Sequence, residues 1–586
     1  MQATSLFTGE LAVALTKLRI YSSYFELTLL DLIPEEGLSF HGTANELVAA
    51  YAADGYARFN GFGAVITTFG PGELSALNGL AGAYAESVPV LHIVGYPSTK
   101  AHEQKAIVHH TMGDGRYDAY HEMSKHISCA TAVLRDQKNA TSEIDRVLKA
   151  MLYYNRPGYI GILTDTITRP IQHVPEAIST IVPNGQEDGI EDVTAPVAAI
   201  REKVLSAEKL AIIVDSGVTR HGITNETWEL INLLQTPYFA TPMGKGGLTE
   251  AHKNYGGIYA GLASDAAAKE YVETADCVLR IGNVPSDLNT TIFSTRYQPN
   301  ALVDIRQFSV NVGLHHQMFS RQSLTYYAAR RENAGRQHKT REMRTTAHSS
   351  QLIPSLKNDL QTNSQAQSLS WPTVPTRSQE KILPANGLIT FDWFLQRLGE
   401  AFRPGDLIVA ETGSLSIGIS RVPLPEGATM FTQSLWGSIG YGVGAAVGAF
   451  HAVKEQSQRY KRSLLIVGDG SFQMTVQAVS DLVHLNPIII VLNNDGYACE
   501  RAINGPNASY NDIAEWDWQN ILRTFGPKVQ SRSFRARTPQ ELDTLLSDPE
   551  IAEAKCTQLI EVVMGKHDIP TVLKQFGDAM IKANSG

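Results

Sequence analysis

The chain is short of several things, and each shortage narrows what it can do. It has four cysteines in 586 residues, Cys129, Cys277, Cys499 and Cys556, with no CxxC spacing among them. That scatter argues against a zinc cluster and a disulfide framework and fits a reducing, cytoplasmic setting. No basic block is present and the net charge is -9, so nucleic acid is not an expected partner. No apolar run approaches the ~20 residues that span a bilayer, and "MQATSLFTGELAVALTKL" lacks the basic start and long apolar core of a targeting segment. No membrane partner is expected. Charged residues are only 19% against 43% apolar, the balance of a well-packed chain too long for one core.

What is present is a succession of short apolar runs ending in Gly, Asp or Asn: "AVITTFG", "VPVLHIVG", "GYIGILT", "LAIIVDSG", "LIVAETG", "SLLIVGDG" and "PIIIVLNND". Parallel strands covered on both faces look like this. With helical patterns between them, the class is α/β, three doubly wound parallel-sheet domains. A Pro- and acid-rich stretch from Pro170 to Glu191 separates a first domain, 1–180, from a middle one, 192–345. Polar sequence from about Tyr327 to Pro384 suggests a linker over 346–384, and a third domain fills 385–586.

The strongest chemical signal is "LLIVGDGSFQMTVQAVSDLVHLNPIIIVLNNDGYACE". One buried strand ends at Gly468-Asp469-Gly470-Ser471, the next at Asn493-Asn494-Asp495-Gly496. Ligands in open α/β sheets bind outside the carboxyl ends of strands. Asp469 offers a carboxylate oxygen, Asn494 an amide oxygen and Gly496 a carbonyl, an oxygen set that suits Mg2+ holding a diphosphate. Gly470 and Ser471, opening a helix, can donate N–H groups to phosphate. Either motif alone could be a plain turn; the pair at successive strand ends points to a site. The run "WGSIGYGVGAAVGAF" fails G-x-G-x-x-G and lacks a preceding strand, so close helix packing explains its later glycines better than dinucleotide binding.

Together with "NELVAAYAADGYAR", "TTFGPGELSALNGLAGAYAE", "HHTMGDG", "TPMGKGGL", "SLWGSIGYG" and "ACERAINGPNASYNDI", these motifs resemble the thiamine-diphosphate enzymes, and more closely the fungal pyruvate decarboxylase family. The resemblance covers most of the chain. It implies an N-terminal domain gripping the aminopyrimidine, a middle domain, and a C-terminal domain gripping diphosphate and Mg2+. It also implies active sites between two chains, hence a homodimer or homotetramer acting on a small 2-oxo acid. By this resemblance Glu46 would bond the pyrimidine N1′, although a glutamate opening a helix also complements its dipole. The adjacent His109 and His110 would handle substrate protons, and Glu500, in an apolar pocket, would stand near the substrate carboxylate. The implied cofactor contacts are Ser414, Gly437, Ser438, Ile439, Gly470, Ser471, Asn494, Asp495, Gly496, Tyr497, Ala498 and Cys499, with Asp469, Asn494 and Gly496 on the metal.

The sequence departs from the family in several places, the most consequential near its start. Before "FELTLLDLI" about five residues are absent, including a Gly-x-Pro-Gly-Asp turn with its acid. Tyr24 falls where that Asp belongs, and a phenol supplies no carboxylate near neutral pH. Glu26 reads as lying on the following helix, and Asp31 matches a different residue. Either the lesion is real or the gene boundary is mis-drawn. If it is real, a carboligase or a cofactor-binding paralogue with impaired turnover is an alternative to a decarboxylase. A thiol used for regulation in the family is replaced here at Gly217 or Val218. Leu288 and Cys499 stand where pyruvate-specific relatives carry larger apolar residues, so the expectation is a wider pocket and tolerance of longer 2-oxo acids.

Overall fold

Among the described residues, β-branched and aliphatic runs form three large sheets, and Thr4–Ser5 pairs with Pro170–Ile171 in a short two-stranded one. The computed structural model describes residues 4–5, 25–35, 40–171, 193–313, 343–345, 348–374, 381–384, 387–455 and 459–584. The N-terminal sheet contains β1 (Gly63–Thr68), β2 (Val90–Tyr96), β3 (Ala130–Leu134) and β4 (Gly158–Leu163), in the order β1-β2-β4-β3 and parallel at every pairing. β1, β2 and β4 are buried at every residue, as near-continuous apolar runs require. Around them lie α1 (Leu27–Glu35), α2 (Glu46–Asn60) and α3 (Pro71–Ala85). α2 starts at Asn45, whose side chain accepts from Val48 N at 2.9 Å, and stops at Gly61 with φ 77. Residues 20–24, with Tyr24, lie outside the described residues.

The middle sheet contains β5 (Leu210–Val214), β6 (Tyr238–Ala240), β7 (Tyr255–Ile258), β8 (Cys277–Ile281), β9 (Leu302–Ile305), β10 (Val310–Val312) and β11 (Met343–Thr345). Its order is β11-β10-β9-β8-β5-β6-β7. The sheet is not wholly parallel: β10 and β11 run antiparallel at one edge, where a reversal needs no crossover helix. The stretch 346–384, read as a linker, contains α4 (Ser349–Gln361). Its Leu352, Ile353, Leu356 and Leu360 are fully buried in one core with β5 and β8, so this part of the stretch belongs to the middle fold.

The C-terminal sheet contains β12 (Asp406–Ala410), β13 (Thr429–Phe431), β14 (Arg462–Gly468), β15 (Ile488–Asn493), β16 (Ser531–Ala536) and β17 (Thr557–Val563). It runs β13-β12-β14-β15-β17-β16, parallel throughout. The order reverses between β12 and β14, which places a crevice at their carboxyl ends. The helices that matter for the site are α5 (Tyr441–Glu455), α6 (Asp469–Thr475) and α7 (Ala498–Ile503). The N- and C-terminal sheets belong to one compact unit, residues 1–187 with 380–578; the middle sheet lies in another, 188–379 with 579–586.

Within the first unit α2 packs on α5 so closely that only hydrogen fits at the contact. A Cβ at Gly448 would sit 1.7 Å from the Ala52 carbonyl oxygen, and one at Gly55 would sit 2.0 Å from that of Ala445. The glycines of "GVGAAVGAF" therefore serve helix packing. Gly448→Ala is expected to cost about 3 kcal/mol or more, because backbone on both sides must move. Gly577→Ala, where a Cβ meets nothing within 4 Å, is expected to be neutral or to stabilise by up to about 1 kcal/mol. Chemical denaturation of the two variants tests the contrast, and equal stabilities would contradict it.

Candidate active site

β14 and β15 are neighbours, with Gly468 opposite Leu492, so the two glycine-rich turns come together at their carboxyl ends. Asp469, almost wholly buried, is wrapped by backbone. Its Oδ1 accepts from Gly470 N at 2.7 Å, and its Oδ2 accepts from Asn494 N and Gly496 N, each at 3.1 Å. Burial pushes its pKa up to about 6, although the hydrogen bonds from Gly470, Gly496, Asn494 and Asp495 pull the other way. A carboxylate left desolvated in this manner is stabilised by a cation. Asp495 and Gly496 have φ 60 and 120. A Cβ at 496 would meet the Asn511 carbonyl at 2.3 Å, and one at Gly470 would meet the Tyr497 ring at 2.7 Å. The turn is thus closed around glycine, with Asn494, Ser471 and Ala498 buried beside it. The donor chemistry and the cradle fit a hard divalent cation with a diphosphate. Cys499 is half-buried on α7, its thiol pushed up to about 11 by burial and by the Glu500 charge.

The segment before α5 is held from two sides. Thr475, at the end of α6, donates to the Gly440 carbonyl at 2.6 Å. Ser438 N donates to Gln433 Oε1 at 2.9 Å, and Ser438 Oγ shares a 2.6 Å hydrogen bond with Tyr51 OH and accepts from Asn78 Nδ2 at 3.1 Å. In the single chain the Ser438 hydroxyl, expected at the cofactor, is therefore engaged by α2 and α3. Leu435 N donates to Glu86 Oε1 at 2.7 Å, and Trp436 Nε1 to Asn78 Oδ1 at 2.9 Å. Gly437, between Trp436 and Ser438, has φ 64. Ser414 opens a short helix, Ser414–Ile419, at the end of β12. Sequence reasoning missed Glu411 here. Buried at the β12 terminus, it accepts from Thr412 N at 2.9 Å and Gly442 N at 2.8 Å, and burial pushes it up to about 7. Its signal was the same as that of Asp469, an acid ending an apolar strand.

Glu46 and the histidine pair converge on the turn that starts α3. A Cβ at Gly72 would meet Glu46 Oε1 at 3.3 Å, and one at Gly70 would meet the His110 carbonyl at 2.3 Å. The His109 and His110 rings are 4.8 Å apart at 78°. Phe25 stacks on His109 at 4.7 Å and meets His110 edge-on at 6.0 Å. Burial lowers the His110 pKa, the neighbouring His109 lowers it further, and a hydrogen bond with the Phe69 backbone opposes both. Tyr120 OH donates to the His110 carbonyl at 3.0 Å. Beneath this turn lies a second acid that sequence reasoning missed. Glu73 accepts from Gly70 N and from Tyr159 OH, both at 2.9 Å, and burial raises its pKa to about 7.

One expectation is corrected. Glu26 is not on α1 but in the turn before it, fully buried: a Cβ at Gly95 of β2 would meet its backbone N at 2.9 Å. In the single chain Glu500 is exposed on α7. Within one chain Glu46 and Gly437 stay apart. Glu46 meets α3 at Gly72, whereas Trp436 and Ser438 meet it at Asn78, about 9 Å further along the helix.

Profiles of known families match in the same three blocks. "Thiamine pyrophosphate enzyme, N-terminal TPP binding domain" matches residues 14–116, the central domain of the same family 197–320, and its C-terminal TPP binding domain 411–562. A pyruvate decarboxylase of Aspergillus fumigatus is 36% identical over 567 residues, covering 96% of this chain and 93% of that one. Pyruvate decarboxylase isozyme 1 of Saccharomyces cerevisiae is 38% identical over 555 residues, covering 93% and 92%. Among solved structures, a thiamine diphosphate-dependent 4-hydroxybenzoylformate decarboxylase of Rhodococcus jostii RHA1 shares the fold, with a TM-score of 0.70 at 17% identity over 94% of this chain and 97% of that one. The matched blocks carry the Asp469 cradle, the Glu46 helix and the histidine pair, and the chain belongs to the pyruvate decarboxylase family of thiamine pyrophosphate enzymes.

Proposed function

We propose that this chain is a lyase that releases CO2 from a 2-oxo acid and leaves an aldehyde, with thiamine diphosphate and Mg2+ as cofactors. The observation that carries the reading is the buried Asp469 wrapped by Asn494 and Gly496 within a family match that spans the chain. When bound, thiamine diphosphate supplies an electron sink for the carbanion formed as CO2 leaves. Asp469, Asn494 and Gly496 would hold the cation, and Gly470 and Ser471 would donate to the diphosphate. Glu46 would exchange a proton with the pyrimidine N1′, and the Gly437 carbonyl would accept from the 4′-amino group. Ile439 would support the ring system, with Ser414, Ser438, Asp495, Tyr497, Ala498 and Cys499 around it.

His109 and His110 lie on the Glu46 side of the fold, where they can hand protons to the reacting carbon. A lowered pKa keeps His110 mainly neutral near pH 7, able to accept a proton and, as the imidazolium so formed, to pass it on. Glu500 would face the substrate carboxylate once enclosed. Enclosure, and the meeting of Glu46 with Gly437, would come from a second copy of the chain, which supports at least a homodimer. No described helix is long and apolar enough to cross a membrane. A cytoplasmic setting is our reading, supported by four cysteines that form no disulfide.

Leu288 is half-buried on the middle unit, and no cysteine stands at Gly217 or Val218. The substrate we assign is a 2-oxo acid longer than pyruvate, aromatic or branched. In a panel of pyruvate, branched-chain oxo acids, phenylpyruvate and indolepyruvate, a longer acid is expected to show the highest kcat/KM. Leu288→Phe is expected to shift the ratio towards pyruvate by about tenfold. Pyruvate leading the wild-type panel would contradict the wide pocket while leaving the decarboxylase reading intact.

A further inference from the structure

Behind the cation cradle lies a buried positive charge. Arg501, beside Glu500 on α7, has a side chain only 1% exposed. Its Nη2 donates to the Asp495 carbonyl and to Asp512 Oδ1, both at 2.7 Å. Its Nε and Nη1 are buried and meet no acceptor among the described residues. Lys566, on the segment after β17, donates to the same Asp512 oxygen at 2.8 Å and to Asp495 Oδ2 at 3.2 Å. The guanidinium also lies against the cradle: a Cβ at Gly496 would meet Nη2 at 3.0 Å and Nη1 at 3.3 Å.

Burying a guanidinium with two nitrogens unsatisfied is unfavourable, and a clasp needed only for stability would do better fully paired or apolar. What this clasp fixes is specific. The Asp495 and Gly496 peptides, both left-handed, are gripped from behind by Arg501, while the Asn494 and Gly496 N–H groups grip Asp469 in front. Resting on the cofactor reading above, we propose that Arg501 is a positioning residue for the divalent cation. It holds the 494–496 backbone so that the Asn494 amide, the Gly496 carbonyl and Asp469 stay in one arrangement. Asp512 and Lys566 form the outer part of the same clasp. Residues that orient metal ligands from behind typically govern ~10–100-fold in metal affinity.

The test is the Mg2+ concentration needed for half-maximal retention of thiamine diphosphate by the full chain, read by equilibrium dialysis, with the melting temperature of the cofactor-free protein measured alongside. Arg501→Met is expected to raise that concentration at least about tenfold, and Arg501→Lys by less, since lysine can replace one of the two bonds. Asp512→Asn, on a partly exposed side chain, gives a second arm that does not depend on the buried site folding. It is expected to raise the requirement about threefold, below the range for an inner partner. An unchanged Mg2+ requirement in Arg501→Met overturns the assignment, whatever happens to the melting temperature. If Arg501→Met does not fold, an unchanged requirement in Asp512→Asn overturns it. A wild-type chain that retains no thiamine diphosphate at any Mg2+ concentration instead overturns the cofactor reading itself.

Discussion

Glu46→Gln is expected to lower kcat by about 10²–10⁴-fold while thiamine diphosphate stays bound. The carboxyl would exchange a proton with the pyrimidine N1′, and an amide cannot, so the loss falls on chemistry rather than on binding. The substitution leaves the helix start intact, because Asn45 rather than Glu46 caps α2. Only the favourable charge at the helix N-terminus is lost, worth about 0.3–1 kcal/mol. Equilibrium dialysis for the cofactor and steady-state turnover on one preparation separate the effects. A variant that keeps more than a tenth of wild-type kcat would remove Glu46 from the reaction.

Asp469→Asn is expected to abolish Mg2+-dependent retention of thiamine diphosphate without unfolding the protein. The pH dependence of the cation-free protein gives the reason. Asp469 has its folded-state pKa raised to about 6, above its ordinary carboxylate value, by burial. Its contribution to stability is therefore fully present below the unfolded pKa and is lost as pH rises through about 6. Above that pH the cation-free protein carries an uncompensated buried charge, which asparagine removes. Against this, asparagine offers one acceptor oxygen where the carboxylate offers two to Gly470, Asn494 and Gly496. The two effects oppose each other, so the cation-free melting temperatures of variant and wild type at pH 8 are expected to lie within a few degrees. Only the wild type should then gain stability from Mg2+ and thiamine diphosphate together. A variant stabilised by the pair as strongly as wild type would move the cation elsewhere.

The parts of the site legible in the sequence were those encoded over short distances. Asp469 and Asn494 each end an apolar strand, and the parallel register of β14 and β15 brings them together with no further information. The glycines of α5 were legible because nothing else explains their density. Acids whose meaning is tertiary were not legible. Glu73 looks like an ordinary helix residue until the fold buries it against the Gly70 N–H and the Tyr159 hydroxyl, whereas Glu411 ended an apolar strand as Asp469 does but had no second motif beside it to mark a site. α4 was hidden by its polar neighbours, although Leu352, Leu356 and Leu360 already had the spacing of one helical face. Glu26 was misplaced because a helix start is soft by a residue or two, and one residue decides between surface and core.

By the family resemblance an acid is expected near position 24, where this sequence carries Tyr24. The fold puts Phe25 face-on against His109, so the histidines are braced by an aromatic ring next to where the acid belongs. A lowered pKa makes His110 an acceptor near pH 7, so it would deliver a proton to the reacting carbon only after first taking one up as imidazolium. The direct test is to mix purified protein, thiamine diphosphate and Mg2+ with a 2-oxo acid and follow CO2 and aldehyde in the first turnover and at steady state. The account predicts both products in equal amounts, continuing past one equivalent per site. Neither product from a chain with its cofactor bound, or CO2 stopping at one equivalent without aldehyde, would contradict it.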